Sequence, residues 1–135
     1  MANPTNTYND ARPLVIGMAA NSHAEIVSVA QGVLAPGTVL GRVTVSGELL
    51  VCGVGNGDGS EEAMFVLTKE IDTTLAAVTT DVLKTGWVNG AKLIFAGVET
   101  LADVVAATGK THDDNLKRNG IVTVIGDDLE AYDNT

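Results

Sequence analysis

Ala35-Pro36-Gly37-Thr38-Val39-Leu40-Gly41-Arg42-Val43-Thr44-Val45-Ser46-Gly47-Glu48-Leu49-Leu50-Val51-Cys52 carries the reading of the fold. Ala35-Pro36-Gly37 is a turn signal, because proline fixes φ and glycine tolerates the left-handed region. After it, Val39, Val43 and Val45 fall on one side of an extended chain and Thr38, Arg42 and Thr44 on the other. That period of two is expected of a half-buried strand. Ser46-Gly47 then offers a tight connection, and residues 48–52 read as the returning strand. A hairpin at this place predicts a β-rich chain.

Working outward, residues 25–31 alternate β-branched, small and polar groups, as a pleated segment with two partly covered faces would. Downstream, Gly53-Val54-Gly55-Asn56-Gly57-Asp58-Gly59 reads as a loop, and the apolar run 63–68 as one buried strand. Asn89-Gly90, between Trp87-Val88 and Lys92-Leu93-Ile94, predicts a second hairpin with a two-residue turn. Helical signals come late. Thr100 to Asp103 matches a capping box, with Leu101, Val104, Val105 and Thr108 on one helical face before Gly109. Thr111 to Asp114 repeats the box, with Lys117 and Arg118 in the last turn, Gly120 beyond, and a closing strand over 121–125. The expected class is mainly β with one or two short helices and no βαβ alternation.

The ends differ from this body. The first 13 residues hold Pro4, Pro13, three Asn and two Thr without periodicity, so residues 1–22 read as a flexible, extended N-terminal arm. Asp127, Asp128, Glu130 and Asp133 make residues 127–135 an acidic tail, leaving residues 23–126 as the β-rich domain.

At 135 residues, 45% hydrophobic and 19% charged, the chain suits one packed core and not a disordered polymer. Its 8 Lys+Arg against 17 Asp+Glu give a net charge of -9, which repels phosphate backbones and anionic lipid. No nucleic-acid or membrane partner is expected, and no apolar run approaches the roughly 20 residues of a membrane span. Residues 1–10 carry no Lys or Arg and precede no long apolar run, so no secretory signal is expected and synthesis in a cytosol fits. A single cysteine, Cys52, excludes an internal disulfide and a cysteine-cluster metal site.

The search for chemistry finds no assembled signature. The glycine run lacks the third glycine of a dinucleotide fingerprint, Ser60 standing in its place. Gly109-Lys110-Thr111 resembles the end of a phosphate-binding loop but has Val104 where the earlier glycine belongs. His23 is expected in a loop and His112 exposed in a helix's first turn, far apart in sequence and without metal-ligand spacing. Cys52 reads as a small buried hydrophobe. Asn56, Asp58, Glu61 and Glu62 do not match a calcium loop. Trp87, the lone tryptophan, reads either as partly buried core or as a contact between copies. No metal or organic cofactor is expected.

Taken in order, several segments resemble the head decoration protein family of tailed phages. They are Leu34-Ala35-Pro36-Gly37-Thr38-Val39-Leu40-Gly41, then Gly57-Asp58-Gly59-Ser60 leading to Ala63-Met64-Phe65-Val66-Leu67, then Ile71-Asp72-Thr73, and finally Asp114-Asn115-Leu116-Lys117-Arg118-Asn119-Gly120-Ile121-Val122-Thr123-Val124. Their order carries the resemblance more than any one motif, and the N-terminal arm and the acidic tail depart from it. The resemblance implies a small β-tulip domain that acts as a structural virion protein and not as an enzyme. It implies assembly in the host cytoplasm and a homotrimer seated on the outer capsid surface at three-fold positions, stabilising the expanded shell. The major capsid protein would be the partner. The arm residues Asn3, Pro4, Thr5, Asn6, Thr7, Tyr8, Asn9, Arg12 and Pro13 would contact the shell, and Trp87 would lie at the trimer interface. The competing class is a small β-barrel enzyme or ligand-binding module with its site at the loop Gly53 to Gly59.

Overall fold

A computed structural model of the chain describes residues 13–124. In chain order the elements are β1 (Val15–Val27), β2 (Val33–Leu34), β3 (Val39–Arg42), β4 (Leu49–Val51), β5 (Phe65–Leu67), β6 (Ile71–Asp72), β7 (Val78–Asn89), β8 (Val104–Val105), β9 (Lys110–Thr111), α1 (His112–Arg118) and β10 (Ile121–Val124). The protein is mainly β with a short helix, as the hydrophobic pattern predicts.

Two long strands organise the sheet. β1 and β7 run antiparallel from Val15↔Val88 to Val27↔Val78, with register shifts on both sides of Asn21. The other edge of β7 is shared: Leu83 and Val82 pair with β5, and residues 86–89 pair in parallel with β10. From β5 the sheet continues through β3 and β4 and returns to β1 at Val27↔Leu49. The strands β1, β4, β3, β5 and β7 therefore close a ring, and β10 branches from it.

Both faces of this sheet are covered, which explains the unbroken apolar run before Leu67. Along β5, Val66 joins a cluster with Val39, Cys52, Leu83, Val88, Phe95, Leu116 and Ile121. Its neighbours Phe65 and Leu67 face the opposite way, into Val27, Leu40, Leu49, Ile71 and Val82. A strand between two buried faces needs apolar groups at every position, not at alternate ones. Gly41 of β3 belongs to the same economy of space. A Cβ there would lie 2.3 Å from the Ser60 carbonyl oxygen, so only glycine lets the 58–62 loop lie on the strand.

Several local expectations fail, each for a tertiary reason. Residues 15–22, assigned to the arm, lie in β1, because pairing with β7 holds them extended. At its other end β1 stops at Val27, and residues 28–31 leave it with Ala30 at φ 71°. Asn89-Gly90 makes no hairpin. Asn89 ends β7, and its side chain accepts from the Ala91 N–H to start a 3-10 turn over Gly90–Lys92. The Thr100 box does form its hydrogen bonds, Thr100 N–H to Asp103 Oδ2 at 2.6 Å and Ala102 N–H to Thr100 Oγ1 at 3.3 Å. No helix follows, since the Asp103 and Leu101 carbonyls are taken by the N–H groups of His112 and Asp113. Val45, placed inward by alternation, is 96% exposed in the β3–β4 turn.

The second box does open a helix. Thr111 Oγ1 accepts from Asp114 N–H at 3.1 Å, Asp113 and Asp114 fill the first turn, and Lys117 and Arg118 fill the last. Charges so placed oppose the helix dipole at both ends. Gly120 at φ 98° turns the chain into β10, and Asn119 ties that corner to the Ala63 carbonyl at 3.0 Å.

Candidate functional site

The outer face of β1, β7 and β10 presents the clearest surface feature. Ile16 and Val122 are both Cα partners of Trp87, so the three side chains form one row across three adjacent strands. Val88 and Ile121, one residue along the same strands, point inward to the core. By the two-residue period the row must point outward, and Trp87 is 55% exposed. Ile16 and Val122 are half-buried beside it. An exposed tryptophan flanked by aliphatic groups is the composition of an interface core more than of a bare surface.

Both ends of the body leave beside this row. Val15 pairs with Val88, Asn89 N–H donates to the Leu14 carbonyl at 2.8 Å, and Val124 pairs with Asn89. Of the arm residues named above, Asn3, Pro4, Thr5, Asn6, Thr7, Tyr8, Asn9 and Arg12 lie outside the described residues. Pro13 is exposed at the root of β1.

Inside the body, the structure brings together three groups that sequence reasoning kept apart. His112 is fully buried, contrary to its expected exposure, and its ring stacks on Phe95 with centroids 4.4 Å apart. Nε2 lies 2.8 Å from Glu99 Oε1, and Nδ1 lies 3.6 Å from Cys52 Sγ. A helix's first turn usually faces water; here the N-terminus of α1 is pressed on the sheet through Leu116 and Asn115, which carries His112 inward. His23 is also not in a loop: it stands on β1 with Nδ1 2.8 Å from Glu25 Oε2.

A cysteine, a histidine and a carboxylate in line suggest nucleophilic chemistry, but the electrostatics oppose it. Burial, then the negative charges of Glu99, Glu61 and Glu62, push the Cys52 thiol up to about 12. The thiol stays protonated at neutral pH, its sulfur is fully buried, and it donates a hydrogen bond to the Glu61 carbonyl at 3.3 Å. The trio is a polar rivet in the core. Among the described residues no group of three His, Cys, Asp or Glu side chains is arranged to hold a metal ion.

The loop Gly53 to Gly59 makes no cradle. Asn56 Nδ2 donates to the Val51 carbonyl and to Ser60 Oγ, and Asp58 Oδ1 accepts from Ser60 N–H and Oγ–H. Gly59 N–H donates to Glu61 Oε1. Polar groups spent on the loop itself are not offered to a ligand, so the competing ligand-site reading gains no support from the geometry.

The described residues thus define a small β module whose notable feature is an outward apolar row at the root of its chain ends. Residues 4–115 match the family model of the bacteriophage lambda head decoration protein D, and the chain belongs to that family. No curated protein matches the chain.

Proposed function

We propose that this protein is a structural component of a phage virion that binds the outer surface of the expanded capsid as trimers at three-fold positions and stabilises the shell. Family membership over residues 4–115 carries this reading. In this reading the chain is a small β-tulip domain whose role is mechanical and whose partner is the major capsid protein. The matched span begins at Pro4 and so takes in the arm.

The physical account has two parts. An arm without apolar periodicity gains order on contact and adds backbone pairing to the shell, which needs no basic anchors from an acidic protein. In this reading Asn3 to Asn9, Arg12 and Pro13 lie along the capsid. The row Ile16, Trp87 and Val122 supplies an apolar patch for a neighbouring copy, a ring of three needing two different patches per subunit. A ligand that binds only the expanded shell stabilises that state by mass action.

The test is a binding assay of the full chain and of a variant lacking residues 2–12 against expanded and unexpanded shells. The reading expects the full chain to decorate expanded shells only, and the shortened chain to remain folded yet attach at least tenfold more weakly. Equal attachment by both proteins, or unfolding of the shortened one, would refute the assignment of the arm.

A further inference from the structure

A closed ring of three needs two unlike patches on each copy, one that gives and one that receives. The row of Ile16, Trp87 and Val122 is a projection, with Trp87 55% exposed at its centre. A receiving surface lies beside it. A cavity of about 350 Å³ opens between the 3-10 turn at Gly90–Lys92 and the turn at residues 99–102. Gly90, Ala91, Leu93, Phe95 and Leu101 form apolar walls, and Glu99 places a carboxylate among them. Gly90 is three residues along the chain from Trp87, a span of at most about 10 Å.

The chemistry of the cavity selects its occupant. Glu99 is 21% exposed; its Oε1 accepts from His112 Nε2–H, and both oxygens share the Val54 N–H. A carboxylate has roughly four lone-pair positions, so two donors leave Oε2 with room for another. An occupant that covered this charge with carbon alone would strip its water and offer nothing in return. An indole meets both demands, since its ring faces lie on apolar walls and its one N–H points from the edge. Trp87 is the one tryptophan of the chain, and the phenylalanines, Phe65 and Phe95, are buried in their own body. Exposed on the outer face of β7, Trp87 does not fill the cavity of its own copy.

We propose that Trp87 of one copy inserts into the cavity at residues 90–102 of the next, with its indole Nε1–H donated to Glu99. Each copy then gives one indole and receives one. Because projection and cavity are neighbours on one end of the body, three copies bring them round a common axis and close the ring. An indole buries about 150–250 Å², the scale of an anchor and not of a whole stable interface, so free copies associate weakly and the shell gathers them. The inference deepens the proposed assembly and rests on it for the number of copies in the ring, not for the contact itself.

Proton–nitrogen NMR of the full chain, without capsids, tests the contact, because the single tryptophan gives a single indole N–H resonance. Between micromolar and millimolar protein, that resonance is expected to move downfield together with the amides of Ala91, Leu101 and Ala102. Trp87→Ser should hold those amides at their dilute positions, and Ala102→Phe, which fills the cavity from an exposed site, should hold the indole at its own. A mixture of the two variants restores one contact per pair, so the indole of the Ala102→Phe protein should move again when the Trp87→Ser protein is added. An indole that stays still on concentration, or cavity amides that still move in Trp87→Ser, would overturn the proposal, whether or not Ala102→Phe folds. On expanded shells each variant alone should attach about tenfold or more weakly than the parent, the loss of one aromatic anchor per contact. A chain that makes the NMR contact but leaves shells bare refutes the capsid reading alone; one that decorates shells while its indole stays still refutes only this contact.

Discussion

His112 Nε2 and Glu99 Oε1 meet across 2.8 Å beneath the 99–102 turn, where the imidazole is fully buried and the carboxylate mostly covered. A carboxylate only accepts, so Nε2 carries the proton, and Nδ1 is left facing the Cys52 sulfur at 3.6 Å. The pair ties α1 to the loop after Phe95, two segments that no ladder of the main sheet joins. His112→Phe keeps the stack on Phe95 but removes the donor to Glu99, and should destabilise by about 1–3 kcal/mol. His112→Ala adds a cavity and should cost more, about 2–4 kcal/mol. Urea unfolding checks the order; a His112→Phe protein as stable as the parent would show that the bond contributes nothing.

Cys52 should be inert while the protein is folded. With its thiol pushed up to about 12, the thiolate fraction at pH 8 is on the order of one in ten thousand, and the sulfur is buried as well. A thiol reagent is expected to modify it only at the rate of unfolding, and rapidly in denaturant. Fast stoichiometric labelling of the native protein would contradict the buried rivet.

Arg42 sets an acid limit on stability. Its guanidinium grips Glu25 with bonds of 3.0 and 2.9 Å, reaches the Gly47 carbonyl at 2.8 Å, and lies 5.3 Å from the Phe65 ring centre. The Arg42 hydrogen bond, more than the partial burial that opposes it, holds the Glu25 carboxyl below its ordinary range. A carboxyl so lowered contributes stability at pH values above its unfolded pKa, and that contribution is lost as pH falls through the folded one. Arg42→Ala should therefore cost about 1–2 kcal/mol at pH 7 and little at about pH 2. Unfolding curves at the two pH values measure this, and a loss independent of pH would assign it to the Gly47 bond and the packing on Phe65 instead.

What was legible in the sequence is what local chemistry decides. The β3–β4 hairpin, the buried β5, α1 and β10 are each fixed by residues inside them. β7 was not legible: Thr79, Thr80, Asp81, Lys84, Thr85 and Gly86 break its apolar pattern, and it is a strand because β1, β5 and β10 pair with it. The two capping boxes make the same point. Thr100 and Thr111 both close their side-chain bonds, yet only Thr111 is followed by a helix, because the chain after Thr100 has its carbonyls claimed from elsewhere. The burial of His112 depended on Phe95 and Glu99, partners that no spacing rule links to it.

Gly41→Ala should be disproportionately harmful. The residue needs no left-handed backbone, but its added methyl would meet the Ser60 carbonyl at 2.3 Å and the Glu62 carbonyl at 2.7 Å, both backbone atoms. Relief requires lifting the 58–62 loop, so the expected loss is about 3 kcal/mol or more, beyond the usual range for a surface glycine. A loss below about 1 kcal/mol in urea unfolding would show that the loop yields freely.

Trp87 separates stability from assembly. Its side chain stands on the outer face of β7 between Ile16 and Val122, so the folded monomer gains little from it beyond those two contacts. Trp87→Ser should change the free energy of unfolding of the monomer by no more than about 0.5–1 kcal/mol. In the proposed trimer, however, three copies of the row would be covered, and a buried aromatic anchor is worth about 2 kcal/mol or more per contact. Three such losses act together, so the variant should bind expanded shells with lost cooperativity and leave three-fold positions empty at concentrations that saturate the parent. Capsid reconstructions with each protein make the comparison. If the Trp87→Ser protein is destabilised by several kcal/mol as a monomer yet fills those positions, the tryptophan belongs to the core and the contact between copies lies elsewhere on the body.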